Sequence, residues 1–190
     1  GSYGGKIIFE AQEAQFSKIK DSEEKGSVTI HQELALIPEL SVTENIFLGS
    51  EVMKGALIDW DAARLQAMDL LARVGLEVDP DTPVKTLGVG QQQLVEIAKA
   101  LLSVVKVMIL DEPSSSLGES EVEQLIKVVR DLKAKGVAIL FVSHKLEELF
   151  ILCDRVTVMR DGQHIVTEDI ENLDNDKLIR AMVGRSVEKQ

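Results

Sequence analysis

Two adjacent carboxylates, Asp111 and Glu112, end a short apolar run in the segment VMILDEPSSSLG (107–118). Such a run before a proline is typical of a buried strand of a parallel sheet, and these sheets bind ligands outside the carboxyl ends of their strands. Because successive side chains of a strand point to opposite faces, the two carboxylates can have different roles. One can hold Mg²⁺, and the other can orient or deprotonate a water molecule. An isolated acidic pair could equally end a strand in a solvated turn, so the interpretation depends on the neighbouring motifs.

Three further polar motifs lie where they could meet this acidic pair. Gln32 and His144 each follow a predicted strand, VTIH and VAILFV respectively. Gly88 and Gly90 begin a helix in TLGVGQQQLVEIAKALL, and a glycine-rich turn at a helix N-terminus can bind an anion because free N–H groups and the helix dipole point outward. Taken alone, the two glycines could form only a helix-entry turn. Together, the three strand ends predict one ligand site along one edge of a sheet.

The elements that would position these residues alternate between strands and helices. The expected strands are KIIFE, VTIH, VMIL, VAILFV and RVTVMR, and the expected helices cover about 18–26, 41–49, 59–74, 86–102 and 119–135. This alternation predicts an α/β fold with a mostly parallel sheet. We expect a single domain over residues 1–190, with a helical subdomain over about 50–105 inserted in the sheet core. The residue types of Asp161-Gly162 predict a hairpin turn after the last strand.

Composition narrows the class of protein. The 190 residues are 45% hydrophobic and 28% charged, as in an ordinary folded domain. A net charge of −11 disfavours a nucleic-acid partner, because phosphate contacts need clustered lysine and arginine. The single cysteine, Cys153, allows no internal disulfide. The longest apolar runs are too short to span a bilayer.

In their order along the chain, these motifs resemble those of the ATP-binding subunit of ABC transporters. Gln32 matches the Q-loop, LGVGQ the signature motif, VMILDEP the Walker B strand, SSSLG the D-loop and FVSHK the His switch. The match covers nearly the whole chain and is closest to the carbohydrate-import class in TIHQELALIPELSVTENIFLG, GQQQLVEIAKAL and SHKLEEL. MVGR near the C-terminus is similar to the end of the first of two fused ATPase halves in that class. The resemblance implies a P-loop NTPase-type (RecA-like) core.

The resemblance also implies a role for each matched residue. Asp111 would hold Mg²⁺, Glu112 would be the general base or the anchor for the attacking water, and His144 would contact the γ-phosphate of ATP. Gln32 would sense Mg²⁺ and the water, and would pass the nucleotide state to the membrane subunit. Four signature residues would clamp the γ-phosphate of an ATP held by a second ATPase half: Gly88, Val89, Gly90 and Gln91. Such a site is complete only when two halves close head to tail.

The implied function is ATP hydrolysis, with ATP and Mg²⁺ as cofactors, that powers import of a monosaccharide of the xylose, ribose or galactose type. The implied partners are the transporter's membrane permease subunit, the second ATPase half and, indirectly, a periplasmic sugar-binding protein. The implied location is the cytoplasmic face of the inner membrane, as a peripheral protein.

The sequence departs from the family pattern in three places. No segment fits the glycine-rich loop that ends in Gly-Lys-Ser/Thr and cradles phosphates, so we expect the chain to start just after that loop and to be inactive alone. The loss of even one preorganised donor slows catalysis by about 10²- to 10³-fold. The signature usually has Ser where Gly88 stands, and the D-loop often has Asp where Gly118 stands. Both differences predict a weaker composite site.

Two other functions are compatible with the motifs. Chromosome-organising (SMC) and repair ATPases share them but insert a long coiled coil between the Q-loop and the signature. Here only 55 positions separate Gln32 from Leu87, and the net charge is negative, which favours the transporter. The other alternative is a non-catalytic module that docks on the transporter membrane subunit, because the segment ELALIPELSVTENIFLG just after Gln32 is rich in apolar residues.

Overall fold

The structure, a computed structural model, describes residues 4–184. The strands are β1 Ile7–Phe9, β2 Gln12–Ala14, β3 Ser27–Ile30, β4 Met53–Lys54, β5 Leu57–Ile58, β6 Val107–Asp111, β7 Ala138–Val142, β8 Arg155–Arg160 and β9 Gln163–Asp169. The helices are α1 Ile19–Glu23, α2 Val42–Phe47, α3 Trp60–Arg73, α4 Val89–Ala100, α5 Glu119–Ala134, α6 Leu146–Leu152 and α7 Asn175–Val183. The chain divides into two compact units, one that ends at Val142 and one that starts at Ser143.

The core of the first unit is a three-stranded parallel sheet in the order β3-β6-β7. Its register pairs Ile30 with Leu110, Leu110 with Phe141, and Asp111 with Val142. Because the strands are parallel, their carboxyl ends lie at the same edge of the sheet. The strands predicted from VTIH, VMIL and VAILFV are therefore confirmed.

One face of this sheet is covered and the other is more open. Met108 and Leu110 of β6 are fully buried, whereas Leu140 and Val142 of β7 are exposed. The buried face is covered by helices, since α4 contacts β3 and α5 contacts β7. This one-sided burial produces the alternating pattern of buried and accessible residues along β6.

Helices α2, α3 and α4 pack against one another in the first unit. Their contact surfaces are apolar and fully buried, with Ile46 from α2, Ala67 from α3 and Ile97 from α4. The start of α2 is fixed by a capping box, in which the Ser41 hydroxyl accepts from the Glu44 N–H and the Glu44 carboxylate accepts from the Ser41 N–H. The helices predicted at 41–49, 59–74, 86–102 and 119–135 are confirmed.

Three two-stranded antiparallel hairpins accompany the parallel sheet: β1-β2, β4-β5 and β8-β9. The turn predicted at Asp161-Gly162 joins β8 to β9, and both residues have positive φ values, 52° and 75°, as a tight hairpin turn requires. The expectation of mostly parallel strands thus holds for the sheet in the first unit, whereas the hairpins are additions to it.

The second unit is built from the β8-β9 hairpin and helices α6 and α7. Helix α7 packs on β8 through Leu178, which is fully buried. The Arg160 guanidinium donates through Nη1 to the carbonyl of Ala181 at 3.0 Å and so binds the end of α7 to the hairpin.

Among residues 4–184, none of the helices combines the length and the apolar character that a bilayer-spanning segment needs.

Candidate functional site

Gln32 and Asp111 follow neighbouring strands at one edge of the parallel sheet. Asp111 is the last residue of β6, and Gln32 comes two residues after the end of β3. Both side chains are exposed, which suits groups that bind a ligand from solution. The structure therefore brings the predicted Mg²⁺ ligand and the predicted Q-loop glutamine to the same sheet edge.

Glu112 leaves the strand abruptly. Its φ is +45°, in the left-handed region that disfavours side chains other than glycine, asparagine and aspartate. Its N–H donates to the carbonyl of Val142 on β7 at 2.9 Å, and its own carbonyl accepts from the Ser115 N–H at 3.2 Å. The prediction that two successive side chains point to opposite faces assumed extended backbone here. The two carboxylates are instead set apart by a left-handed turn.

The signature residues form the first turn of α4. Gly88 is the N-cap, and its N–H donates to Oε1 of Gln91 at 3.1 Å. Gly90, two residues further on, is buried, and its N–H donates to Oε1 of Glu121 at 3.2 Å. The turn that the sequence predicts as an anion site is thus already ordered by two side-chain oxygens.

Glu121 is a residue that the sequence reasoning missed. It belongs to the first turn of α5, and its Oε2 accepts from the N–H of Gly118, the N-cap of that helix, at 3.0 Å. A glutamate three residues after an N-cap is the signal that could have found it, as half of a capping box. Through this one carboxylate the signature turn is joined to the end of the D-loop.

Glu96 joins α4 to the segment after Gln32. Its Oε1 accepts from the N–H of Ala35, and the side chain is only 8% exposed. Burial raises the pKa of the Glu96 carboxyl, whereas the Ala35 N–H and the charges of Lys99 and His31 oppose that rise. No local sequence pattern indicates this connection, because 61 positions separate the two partners.

Asn45 on α2 shapes the same segment further along. The side chain is 1% exposed, and its Oδ1 accepts from the Ile37 N–H at 2.7 Å. Its Nδ2 lies 3.0–3.2 Å from three carbonyl oxygens, those of Ile37, Leu40 and Ser41. One buried amide therefore fixes the backbone of 37–41.

His144 lies in the second unit, in the loop before α6, and is exposed. The loop is held by the Ser143 hydroxyl, which accepts from the Lys145 N–H at 3.0 Å and donates to Oε2 of Glu148 at 3.1 Å. The Glu148 side chain is buried and also pairs with Nζ of Lys145. This network orders the backbone on both sides of His144.

Asp111 and Gln32 are the predicted Mg²⁺ ligands, and both belong to the described part of the chain. Within it, no three His, Cys, Asp or Glu side chains are grouped closely enough to hold a metal ion. Asp111 and Gln32 offer oxygen ligands, the type that Mg²⁺ prefers, and Mg²⁺ is usually bound by one or two protein groups with water and substrate phosphates. The residues therefore fit a Mg²⁺ ion that arrives with a nucleotide.

The sequence of this chain is similar to that of known ABC transporter proteins. A model of the ABC transporter family matches residues 2–115. The chain is 51% identical over 187 residues to the xylose import ATP-binding protein XylG of Escherichia coli K12, which covers 98% of this chain and 36% of that protein. It is 50% identical over 189 residues to the XylG protein of Moorella thermoacetica, which covers 100% of this chain and 38% of that protein. The chain thus spans little more than a third of the length of these relatives.

Solved structures resemble the fold closely. MJ1267, an ATP-binding cassette of an ABC transporter in its ADP conformation, has a TM-score of 0.79 at 25% identity and matches 96% of this chain and 78% of that chain. CbiO1 of Clostridium perfringens, part of the ABC transporter complex cbiONQ, has a TM-score of 0.75 at 26% identity and matches 96% of this chain and 73% of that one. The predicted P-loop NTPase-type α/β fold class is confirmed.

Proposed function

This chain belongs to the ABC transporter family, and from that premise we propose that it is an ATP-binding and ATP-hydrolysing part of a monosaccharide importer. The identity of about half with xylose import ATP-binding proteins supports a sugar of the xylose type as the cargo. The short distance from Gln32 to the signature turn supports a transporter rather than an SMC or repair ATPase.

The backbone of Glu112 is the observation that carries this proposal. A left-handed glutamate costs about 1 kcal/mol or more relative to an unstrained residue, and such strain concentrates at functional sites. The position is also the right one chemically, because Glu112 follows directly after Asp111 at the carboxyl edge of the sheet. We assign Glu112 to the attacking water, as general base or anchor, and Asp111 with Gln32 to Mg²⁺.

Bound ATP with Mg²⁺ would supply the phosphoanhydride bond that is hydrolysed. The protein's part is to hold the water, the metal and the phosphate oxygens in place, which is most of the catalysis in phosphoryl transfer. Gly88, Val89, Gly90 and Gln91 are assigned to the γ-phosphate of a nucleotide held by a second ATPase half. His144 is assigned to the γ-phosphate of the nucleotide held by its own half.

We also propose a membrane permease subunit as partner, with the chain peripheral on the cytoplasmic face of the membrane. The support is an apolar groove in the segment after Gln32, lined by Leu40, Phe47, Leu48, Ile58 and Trp60 among others. Leu48 and Trp60 are 45% and 49% exposed and line the same groove, and apolar side chains that share one exposed patch are typical of an interaction site. A periplasmic sugar-binding protein would act through the permease.

The test is Glu112→Gln in the full-length gene product assembled with its permease. We expect ATP binding to be retained and ATP hydrolysis to fall by about 10²-fold or more, because the water loses its base or anchor. Glu119→Gln neutralises an exposed acid at the start of α5, and this variant should hydrolyse ATP like the wild type. Hydrolysis by Glu112→Gln within a few-fold of the wild type would overturn the assignment.

The groove gives the docking function its own test. Leu48→Asp should abolish co-purification with the permease, whereas Leu65→Asp, on an exposed position of α3, should not. If Leu48→Asp has this effect while the wild-type transporter hydrolyses no ATP, the non-catalytic docking module replaces the ATPase as the proposed function.

A further inference from the structure

We propose that Glu121 is a positioning residue that fixes the signature turn against the D-loop turn, so that both meet the second ATPase half as one rigid unit. The inference rests on the proposed function, since it concerns the composite nucleotide site. The proposal adds Glu121, which lies outside the matched motifs. It assigns one contact of Glu121 to the signature turn and the other to the D-loop turn.

The geometry is a bridge between two helix N-termini. Oε1 of Glu121 accepts from the Gly90 N–H of α4 at 3.2 Å, and Oε2 accepts from the Gly118 N–H of α5 at 3.0 Å. The contact to Gly118 stays within its own helix start and spans three positions, whereas the contact to Gly90 spans 31. Capping of α5 needs only the contact to Gly118. The contact to Gly90 is therefore the one that calls for a function.

Gly90 leaves room for this carboxylate. A Cβ on Gly90 would lie 2.5 Å from both Cδ and Oε1 of Glu121, a distance that real Cβ atoms do not tolerate. A Cβ on Gly88 would lie 3.6 Å from Oε1 and one on Gly118 would lie 3.8 Å from Oε2, and both are ordinary van der Waals distances. A side chain at position 90 would therefore displace the Glu121 carboxylate, although the φ of Gly90 does not require glycine.

Charge gives the bridge a second purpose. The N-terminus of each helix carries a partial positive charge equivalent to roughly half an elementary charge. Helices α4 and α5 aim these ends at one carboxylate, whose negative charge offsets the repulsion between them. Neutralising Glu121 would therefore loosen the contact even where a hydrogen bond remains.

Hydrogen exchange tests the bridge directly in the full-length protein, without nucleotide. In Glu121→Ala, we expect amides of both turns (86–92 and 116–122) to exchange about tenfold faster, because each turn loses its acceptor. Glu121→Asp is one methylene shorter, so it should still cap Gly118 and release only the 86–92 turn. Glu119→Ala, an exposed acid in the same turn of α5, is the matched control and should change neither.

Kinetics of the assembled transporter test the function. Glu121→Ala and Glu121→Asp should both raise the KM for ATP about tenfold with kcat at saturating ATP nearly unchanged, because the misplaced clamp weakens closure while the groups at the sheet edge stay intact. A purely structural cap would leave Glu121→Asp with wild-type KM, and that result overturns the proposal. Unchanged amide hydrogen exchange at residues 86–92 in Glu121→Ala would also overturn the proposal. A wild-type transporter without ATP hydrolysis would instead overturn the proposed function and leave the exchange result standing.

Discussion

The backbone N–H of Ala35 and Oε1 of Glu96 form a hydrogen bond of 2.5 Å across 61 positions of sequence. The bond joins the segment after Gln32 to the helix whose first turn carries the signature residues. Because Glu96 is buried on α4, the acceptor cannot easily be replaced by water. A displacement of α4 would therefore be transmitted to the segment around Ala35.

Glu96 predicts a pH-dependent stability. Burial raises its pKa, so the folded state binds this proton more readily than the unfolded state does. The stability due to protonated Glu96 is complete below the ordinary glutamate range of about pH 4 to 5, and it is lost as pH rises through the raised pKa. Glu96→Gln keeps an acceptor for Ala35 without the charge. We expect its advantage over the wild type, measured by urea unfolding from pH 4 to 8, to grow with pH.

The neighbours of Glu96 set the size of this effect. Lys99 and His31 favour the charged carboxylate, so both reduce the rise that burial causes in the Glu96 pKa. Glu123→Gln, which neutralises an exposed acid on α5, should differ from the wild type by an amount that does not depend on pH. A difference for Glu96→Gln that is equally flat would contradict the prediction.

Asn45→Ala should be strongly destabilising. The substitution removes the acceptor of the Ile37 N–H, and it removes the side-chain donor to three carbonyl oxygens at 37–41, each of which keeps a backbone donor. The loss of these bonds from a position that is 1% exposed should lower the free energy of unfolding by roughly 1–3 kcal/mol. Gln66→Ala also removes an amide but from an exposed position of α3, and it should change stability by less than about 0.5 kcal/mol. Denaturant midpoints of the two variants test this prediction. A loss of stability in Asn45→Ala as small as that in Gln66→Ala would argue against a structural role for Asn45.

The effect of Gly90→Ala on the free energy of unfolding should depend on which residue occupies position 121. In the wild-type background the new Cβ displaces the Glu121 carboxylate, and we expect a loss of about 1 kcal/mol in the free energy of unfolding. In a Glu121→Ala background the clash is absent, and alanine should instead stabilise the helix by up to about 1 kcal/mol. A double-mutant cycle measures this coupling. Effects that add within about 0.5 kcal/mol would show that the two residues do not interact.

Glu112→Gly should separate stability from activity. Glycine adopts a φ of +45° without steric cost, so the variant should exceed Glu112→Ala, which also lacks the carboxylate, by about 0.5–1 kcal/mol in the free energy of unfolding, while both lose ATP hydrolysis. Glu123→Gly, in the interior of α5, should lose about 1 kcal/mol and keep its activity. Thermal unfolding and an ATPase assay on the same samples test both. A Glu112→Gly variant that is no more stable than Glu112→Ala would mean that the native backbone there is not strained.

Local patterns in the sequence were sufficient for the parallel sheet and for the amphipathic helices. The apolar run before Asp111 predicted β6 because burial on one face and a following proline leave few other structures. Nothing local predicted the two-residue strands β4 and β5, since so short a ladder depends on its turn rather than on periodicity. The left-handed Glu112 was equally out of reach, because glutamate disfavours that conformation and only tertiary contacts impose it.

The residues of the candidate site also fall into two groups, those that local sequence patterns indicate and those that only tertiary contacts reveal. The residues at strand ends and at the α4 turn could be proposed as site residues because their types and spacing are informative on their own. Glu96 and Glu121 were missed because each acts through a partner far away in sequence, Ala35 and Gly90 respectively. A single sequence contains no signal for such pairs beyond the capping pattern of Glu121.

The bonds of Asn45 bear on how fast a permease could be recognised. Backbone that is already fixed at 37–41 before any encounter has no ordering entropy left to lose when a partner arrives. Association at this surface would then need no slow rearrangement after collision, and its rate would be set by diffusion and by the charges that steer the two surfaces together.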